Sequence, residues 1–158
     1  MKIKIIAVGK LKEKYWTQAV EEYSKRIGGY CDLEIVEVKE SKLRGSGQAL
    51  EERVKSEEGQ DIISKINPLA FVVTLEIKGK SFSSEELAEK INALALEGKG
   101  EIDFIIGGSL GLSQEVSKEA DLKLSFSQMT FPHQMMRVIL LEQIYRSFKI
   151  IKGETYHK

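Results

Sequence analysis

The chain has two histidines and two prolines. One of each stands together in SQMTFPHQMMR, residues 127–137, and the other histidine, His157, sits in the GETYHK ending. Imidazole is the side chain that titrates nearest neutral pH, so His133 and His157 are the first candidates for moving a proton. Ser127–Pro132 offers small hydroxyls at Ser127 and Thr130, an amide at Gln128, and apolar cover from Met129 and Phe131, all pinned by Pro132. Backbone amides in such a loop can read a flat heterocycle while Met129 and Phe131 cover it. The same residues also serve as a plain strand-to-helix connection, with proline at the first helical position and His133 bonding locally. At the other end, Tyr156 supplies a stacking ring, His157 a titrating group and Lys158 a cation, although chain ends are commonly disordered.

A second candidate is FIIGGSLG. Gly107, Gly108 and Gly111 permit positive φ and close approach of backbone to a ligand. The spacing is not the G-x-G-x-x-G of dinucleotide sites, and no Walker lysine follows. A tight structural turn accounts for these glycines equally well. The third is Arg137, among Leu141, Ile144 and Phe148 on one flank of an apolar run. A guanidinium there needs a partner. That partner is a structural carboxylate or carbonyl, or an anionic group on a ligand.

Short β-branched runs at 3–8, 33–38, 69–75, 102–106 and 122–126 suit strands. Between them lie helical patterns. Tyr15, Trp16, Ala19, Val20, Tyr23 and Ile27 keep the helix period, and Gly28–Gly29 stops it. Leu50, Val54, Ile62, Ile63 and Ile66 mark a charged helix ending before Pro68. Ser83 with Glu86 forms a capping box. A brief helix starts near Ser113, and the last opens at Pro132. Strands alternating with helices predict an α/β fold, a mostly parallel sheet of five to six strands with helices on both faces. In such sheets ligands bind at the carboxyl ends of strands. Three of those ends are EIKGKSFS, GGSLGLS and SQMTFPH.

In the final helix, Met135, Met136, Val138, Ile139, Leu140 and Leu141 point almost all round, with a polar stripe of Glu142, Arg146 and Lys149 in its second half. A helix apolar all round must be covered all round. One side meets the sheet and another a second subunit, which predicts a homodimer.

At 158 residues the chain reads as one domain, residues 1–158, large enough for a proper core. No apolar run is long enough to span a bilayer, and MKIKIIAVGK does not read as a signal peptide, so no membrane partner is expected. The single cysteine, Cys31, excludes an internal disulfide and favours a reducing cytoplasm. So few histidines and cysteines argue against a metal site. Net charge is zero, which excludes a whole-protein basic field for nucleic acid. Lys10, Lys12 and Lys14, with Lys39, Lys42 and Arg44, form local clusters that suit either a solvated surface or phosphate contacts.

FIIGGSLG, LSFSQMTFPHQMMRVILLEQIYRSFKI and the terminal YHK together resemble the ribosomal RNA large subunit methyltransferase H (RlmH) family of the SPOUT superfamily. IKIIAVGKLKEKYW and LEIKGKSFSSEELA resemble it too, so the likeness spans the whole chain. It implies a SPOUT fold with a C-terminal trefoil knot, a homodimer, and S-adenosylmethionine as methyl donor, leaving S-adenosylhomocysteine. The implied reaction is methylation at N3 of a pseudouridine in 23S rRNA on the assembled ribosome. The family's cofactor site falls on Leu75, Gly107 and Ser127, Gln128, Met129, Thr130, Phe131 and Pro132. Its essential tail falls on Tyr156, His157 and Lys158, completing the active site of the partner subunit. On this reading His157 assists loss of the N3 proton, Tyr156 stacks on the base or positions His157, and Lys158 or Arg137 holds RNA. Thr155 stands where the family commonly has proline. Lys158 stands where arginine is frequent, which keeps the charge but loses the bidentate fork. The rival readings are a SPOUT enzyme acting on tRNA, a non-catalytic ribosome-binding dimer and, more distantly, a Rossmann dehydrogenase.

Overall fold

The computed structural model describes residues 1–158. Strands β1 (Lys2–Val8), β2 (Asp32–Val38), β3 (Phe71–Ser81), β4 (Glu101–Ile106) and β5 (Leu122–Ser125) form one sheet. All neighbours in it are parallel, in the order β2-β1-β4-β3-β5. The helices are α1 (Lys14–Ile27), α2 (Gln48–Ile63), α3 (Ser84–Leu96), α4 (Gln114–Lys118) and α5 (His133–Ile151).

The central strand β1 shows why the sheet is covered on both faces. Ile3, Ile5 and Ala7 alternate with Ile6 and Val8, and all five are essentially buried. Ile3, Ile5 and Ala7 pack with Val20 and Ile27 of α1, Leu87, Ile91 and Leu94 of α3, and Leu140, Leu141 and Ile144 of α5. Ile6 and Val8 pack with Ile62 of α2 and Val116 of α4. Helix α5 lies against both α1 and α3. Its buried residues include Leu140, Leu141, Ile144 and Phe148, while Met135, Val138, Ile139 and Ile150 are only partly covered.

Three details differ from the sequence expectation. Strand β3 does not end at Leu75 but runs on to Ser81, pairing Lys80 and Ser81 with Leu124 and Ser125 after a register shift. Gly79 permits this, because a Cβ there would lie 2.7 Å from the backbone of Lys123. Pro132 caps α5 rather than opening it: its ψ of 134 is extended, and the helix begins at His133. Gly28 ends α1 with a right-handed φ of −57, so its freedom to turn left is not what stops the helix. The capping box stands as expected: Ser83 Oγ accepts from the Glu86 amide at 3.1 Å, and Glu86 Oε2 accepts from the Ser83 amide at 2.6 Å.

At the amino ends of β1 and β4 the register sets Lys4 opposite Asp103. Lys4 Nζ lies 2.7 Å from Glu101 Oε1 and 3.4 Å from Asp103 Oδ2, and donates to the Lys65 carbonyl at 3.2 Å. The Asn67 amide donates to Asp103 Oδ2 at 2.9 Å, and its side chain donates to Glu101 Oε2 at 2.8 Å. Burial pushes the Asp103 carboxyl up from its ordinary range. Burial would raise Glu101 as well, but hydrogen bonds from Lys4, Asn67 and Asp103 outweigh it and hold Glu101 down at about 2.

Candidate active site

A cavity of about 630 Å³ opens at the carboxyl ends of β4 and β5, beside the middle of β3 where its register shifts. The three strand ends singled out in the sequence meet there. Leu75, Gly107, Ser127, Met129, Thr130, Phe131 and Pro132 all line it; Gln128, of the same loop, does not. Sequence reasoning missed Glu76 and Ile77 of the extended β3; His133, one of its first candidates, forms a wall with Met136 from the first turn of α5. The signal for Glu76 was present. Leu75-Glu76-Ile77-Lys78 alternates with the strand period.

The glycine turn is built for close packing. A Cβ on Gly107 would lie 2.9 Å from the Gly111 carbonyl carbon. Gly111 takes φ +81, and its amide closes the turn on the Gly108 carbonyl at 3.0 Å. Facing it, the 126–132 loop is set by two serines. Ser125 Oγ donates to the Ile77 carbonyl at 2.8 Å and to the Ser127 carbonyl at 3.2 Å, while Ser127 Oγ accepts from the Met129 amide at 3.0 Å. No protein carbonyl accepts from the backbone amides of Gln128, Thr130 or Phe131. Of these, Thr130 and Phe131 line the cavity, and their amides are free to bond a ligand or water. Met129 is 74% exposed beside them.

The electrostatics of the cavity are spare. Glu76 and His133 are its only titratable lining groups, and no lysine or arginine lines it. Burial holds His133 below the usual imidazole range, with Arg137 and Lys12 adding to the effect and Glu40 opposing it. The net effect favours the neutral imidazole. Thr74 Oγ1 and Ser117 Oγ both donate to Glu76 Oε1, at 2.7 and 2.9 Å. A pocket with a carboxylate and no cation repels phosphate groups, so it does not fit a dinucleotide or nucleoside triphosphate. Apolar walls, open amides and one negative charge fit an uncharged heterocycle attached to a cationic group.

Arg137 has its partners inside the protein. It is 1% exposed; Nη1 lies 2.7 Å from Glu37 Oε2, and Nη2 donates to the carbonyls of Val8, at 3.0 Å, and Gly9. Expected as an RNA contact, it has no face for RNA in this structure. Instead it ties the first turns of α5 to the end of β1.

The tail is docked. Tyr156 donates to Glu142 Oε2 at 2.8 Å, with the Arg146 guanidinium 4.7 Å from its ring centroid and the Tyr145 ring 4.9 Å away, edge-on. His157 Nδ1 lies 3.3 Å from Arg146 Nη1, and its Nε2 lies 2.7 Å from Glu85 Oε1. Arginine only donates, so in this pairing Nδ1 accepts and Nε2 carries the hydrogen toward Glu85. Lys158 is exposed. None of these residues lines the cavity of its own chain. Glu142 and Arg146 were legible only as a polar stripe; that they anchor the tail was not.

The carboxyl rim is also where exposed cations gather. Lys10, Lys12, Lys39, Lys42 and Arg44 lie in the connections after β1 and β2, Lys14 opens α1, and Lys78 and Lys80 lie on the extension of β3. They outnumber the acidic residues of the same segments, although the whole chain sums to zero. No group of histidine, cysteine or acidic residues is placed to hold a metal ion, and no helix is long and apolar enough to cross a membrane.

Residues 1–157 match the family model described as "Predicted SPOUT methyltransferase". The chain is 57% identical over 159 residues to a protein of Methanococcus maripaludis (strain C5 / ATCC BAA-1333), provisionally named ribosomal RNA large subunit methyltransferase H. That alignment covers 100% of both chains. A solved structure from Haemophilus influenzae Rd KW20, described as a probable methylase family protein, superposes with a TM-score of 0.56. The likeness covers 99% of this chain and 70% of that one, at 14% identity, and it shows a shared fold.

Proposed function

From the premise that the chain belongs to the SPOUT methyltransferase family, we propose that it transfers a methyl group from S-adenosylmethionine to N3 of a pseudouridine in 23S rRNA on the assembled ribosome. The observation that carries this reading is the cavity, with open loop amides, apolar walls and a single carboxylate unbalanced by any cation. The 57% identity, over the full length, to a relative named for large-subunit rRNA supports the substrate class.

Amides of the Ser127–Pro132 loop bond the adenine edges, Met129 and Phe131 cover the ring, and Gly107 lets the backbone approach. Bound there, S-adenosylmethionine would supply an electrophilic methyl for N3 and would leave as neutral-sulfur S-adenosylhomocysteine. The protein's task is to align and dehydrate the reacting pair and to take the N3 proton.

His157 takes that proton, directly or through water, in the cavity of a partner subunit. Its place outside its own cavity supports this, as does the partly covered apolar side of α5, which a second copy would bury. To act as a base it must exchange the contact at Nδ1, the nitrogen that accepts from Arg146. Tyr156 stacks on the target base and Lys158 meets a phosphate. The rim lysines and Arg44 provide further phosphate contacts on the ribosome, in the cytoplasm. The C-terminal segment carrying the cavity loops and α5 is the knotted part of the fold.

The test is incubation of labelled S-adenosylmethionine with intact unmethylated ribosomes, free 23S rRNA or tRNA. Label confined to ribosomes is expected; label confined to tRNA overturns the reading. Methylation should also fall steeply with added salt, because phosphate contacts release counterions.

A further inference from the structure

Glu76 is the one acidic side chain in the cavity, and nothing so far explains why it is there. A carboxylate against apolar walls is costly unless it is hydrogen-bonded or paired. The protein provides hydroxyls, not a cation. Thr74, which is 0% exposed, and Ser117 of α4 both donate to Oε1. Coming from two elements, they fix the orientation of the carboxylate. No protein group donates to Oε2, so the charge is held in place and left unneutralised.

We propose that Glu76 is the counter-ion of the cofactor's sulfonium, and that it lets the pocket tell the charged methyl donor from its neutral-sulfur product. The proposal rests on the reading of the cavity as an S-adenosylmethionine site. A ribose diol is the other common partner of a carboxylate, and it binds as a fork, one hydroxyl to each oxygen. Here Oε1 already accepts two donors, so the fork is half closed. A sulfonium has no hydrogen to donate and needs only the charge. After transfer the sulfur is neutral, the attraction is gone and the product is released more readily. The contact weakens as the sulfonium charge disperses in the transition state, so it serves binding and not the chemical step.

The experiment is calorimetric titration of the wild type and Glu76→Gln with S-adenosylmethionine and with S-adenosylhomocysteine. In the variant, affinity for the methyl donor should fall about tenfold, the loss expected for one modest charge contact, while affinity for the product changes by less than about twofold. On ribosomes KM for the donor should rise with kcat not reduced. Equal weakening of both ligands would assign Glu76 to a part they share and overturn the proposal; so would no change in either. Should the variant not fold, the wild type still decides: equal affinity for donor and product refutes a sulfonium counter-ion. A wild type that binds neither ligand would instead sink the cofactor reading itself.

Discussion

The two edges of the sheet are made of the same apolar strands and end in opposite ways. At the amino ends of β1 and β4, Lys4 pairs with Glu101 and Asp103 and Asn67 donates to both carboxylates, so each charge has a partner and only Asp103 Oδ1 lacks a donor. At the carboxyl ends there are glycines, amides that meet no protein carbonyl, and one carboxylate with a free oxygen. A polar cluster that closes on itself specifies structure, and one left open is available to a ligand. Arg137 refines the rule. It sits on the open edge yet is closed by Glu37 and two carbonyls, so it supports the site without meeting the substrate.

The largest effect should come from the tail, which lies outside the cavity of its own chain. His157→Ala should lower ribosome methylation by about 10²–10⁴-fold, the usual worth of a general base, with cofactor affinity unchanged by calorimetry. Full activity of that variant would remove His157 from the chemistry.

Next come the two buried cations. Lys4→Met strands the buried Asp103 and should cost about 3–5 kcal/mol by denaturant unfolding. Arg137→Met leaves two carbonyls without their donor and should cost about 1–3 kcal/mol, because its carboxylate partner Glu37 is 36% exposed. The contrast between the edges predicts that only Arg137→Met also weakens cofactor binding, because only Arg137 ties down a cavity wall. Equal cofactor affinities in the two variants would erase the distinction.

Gly107→Ala forces a Cβ to within 2.9 Å of Gly111. It should cost about 1–3 kcal/mol, as overpacking does, read as a lower Tm together with weaker cofactor binding.

The smallest effect belongs to Asp103→Asn. Burial raises the Asp103 carboxyl from its ordinary 3.8, so the unfolded chain loses this proton first. Its contribution to stability is full below 3.8 and is lost as pH rises through the raised folded value. Glu101, depressed from 4.5 to about 2, has the opposite sign: its contribution is present above 4.5 and lost as pH falls through about 2. Asparagine resembles the neutral carboxyl, so the variant should differ by less than about 1 kcal/mol at low pH, where the carboxyl is protonated. The wild-type curve minus the variant curve should fall with rising pH; a flat difference would show that Asp103 does not titrate this way.

Much of this was legible because it is periodic or capped. The alternation of β1, the Ser83–Glu86 box and the all-round apolar α5 need only local rules. The three strand ends were legible because strand order confines ligand sites to carboxyl ends. What was lost depends on contacts distant along the chain. Strand β3 looked finished at Leu75 because the continuous apolar run ends there, and only the approach of Lys123 explains the glycine at 79 that lets the strand continue. Arg137 declared a need for a partner, but Glu37 lies a hundred residues away. The tail looked frayed by composition, because its anchors, Glu142, Arg146 and Glu85, lie on two other elements.

Helix α5 has one further property. Its 19 residues make a rod about 28 Å long, with a cavity wall at its first turn and the tail anchored on its later turns. It therefore works as a spacer with a fixed length and a fixed phase. Inserting one residue between Arg137 and Glu142 would shift the tail by about 1.5 Å and turn it by about 100° relative to the cavity. Apolar side chains along the rod can exchange for others of similar size. Its residue count cannot change without carrying Tyr156 and His157 to a different side of the molecule.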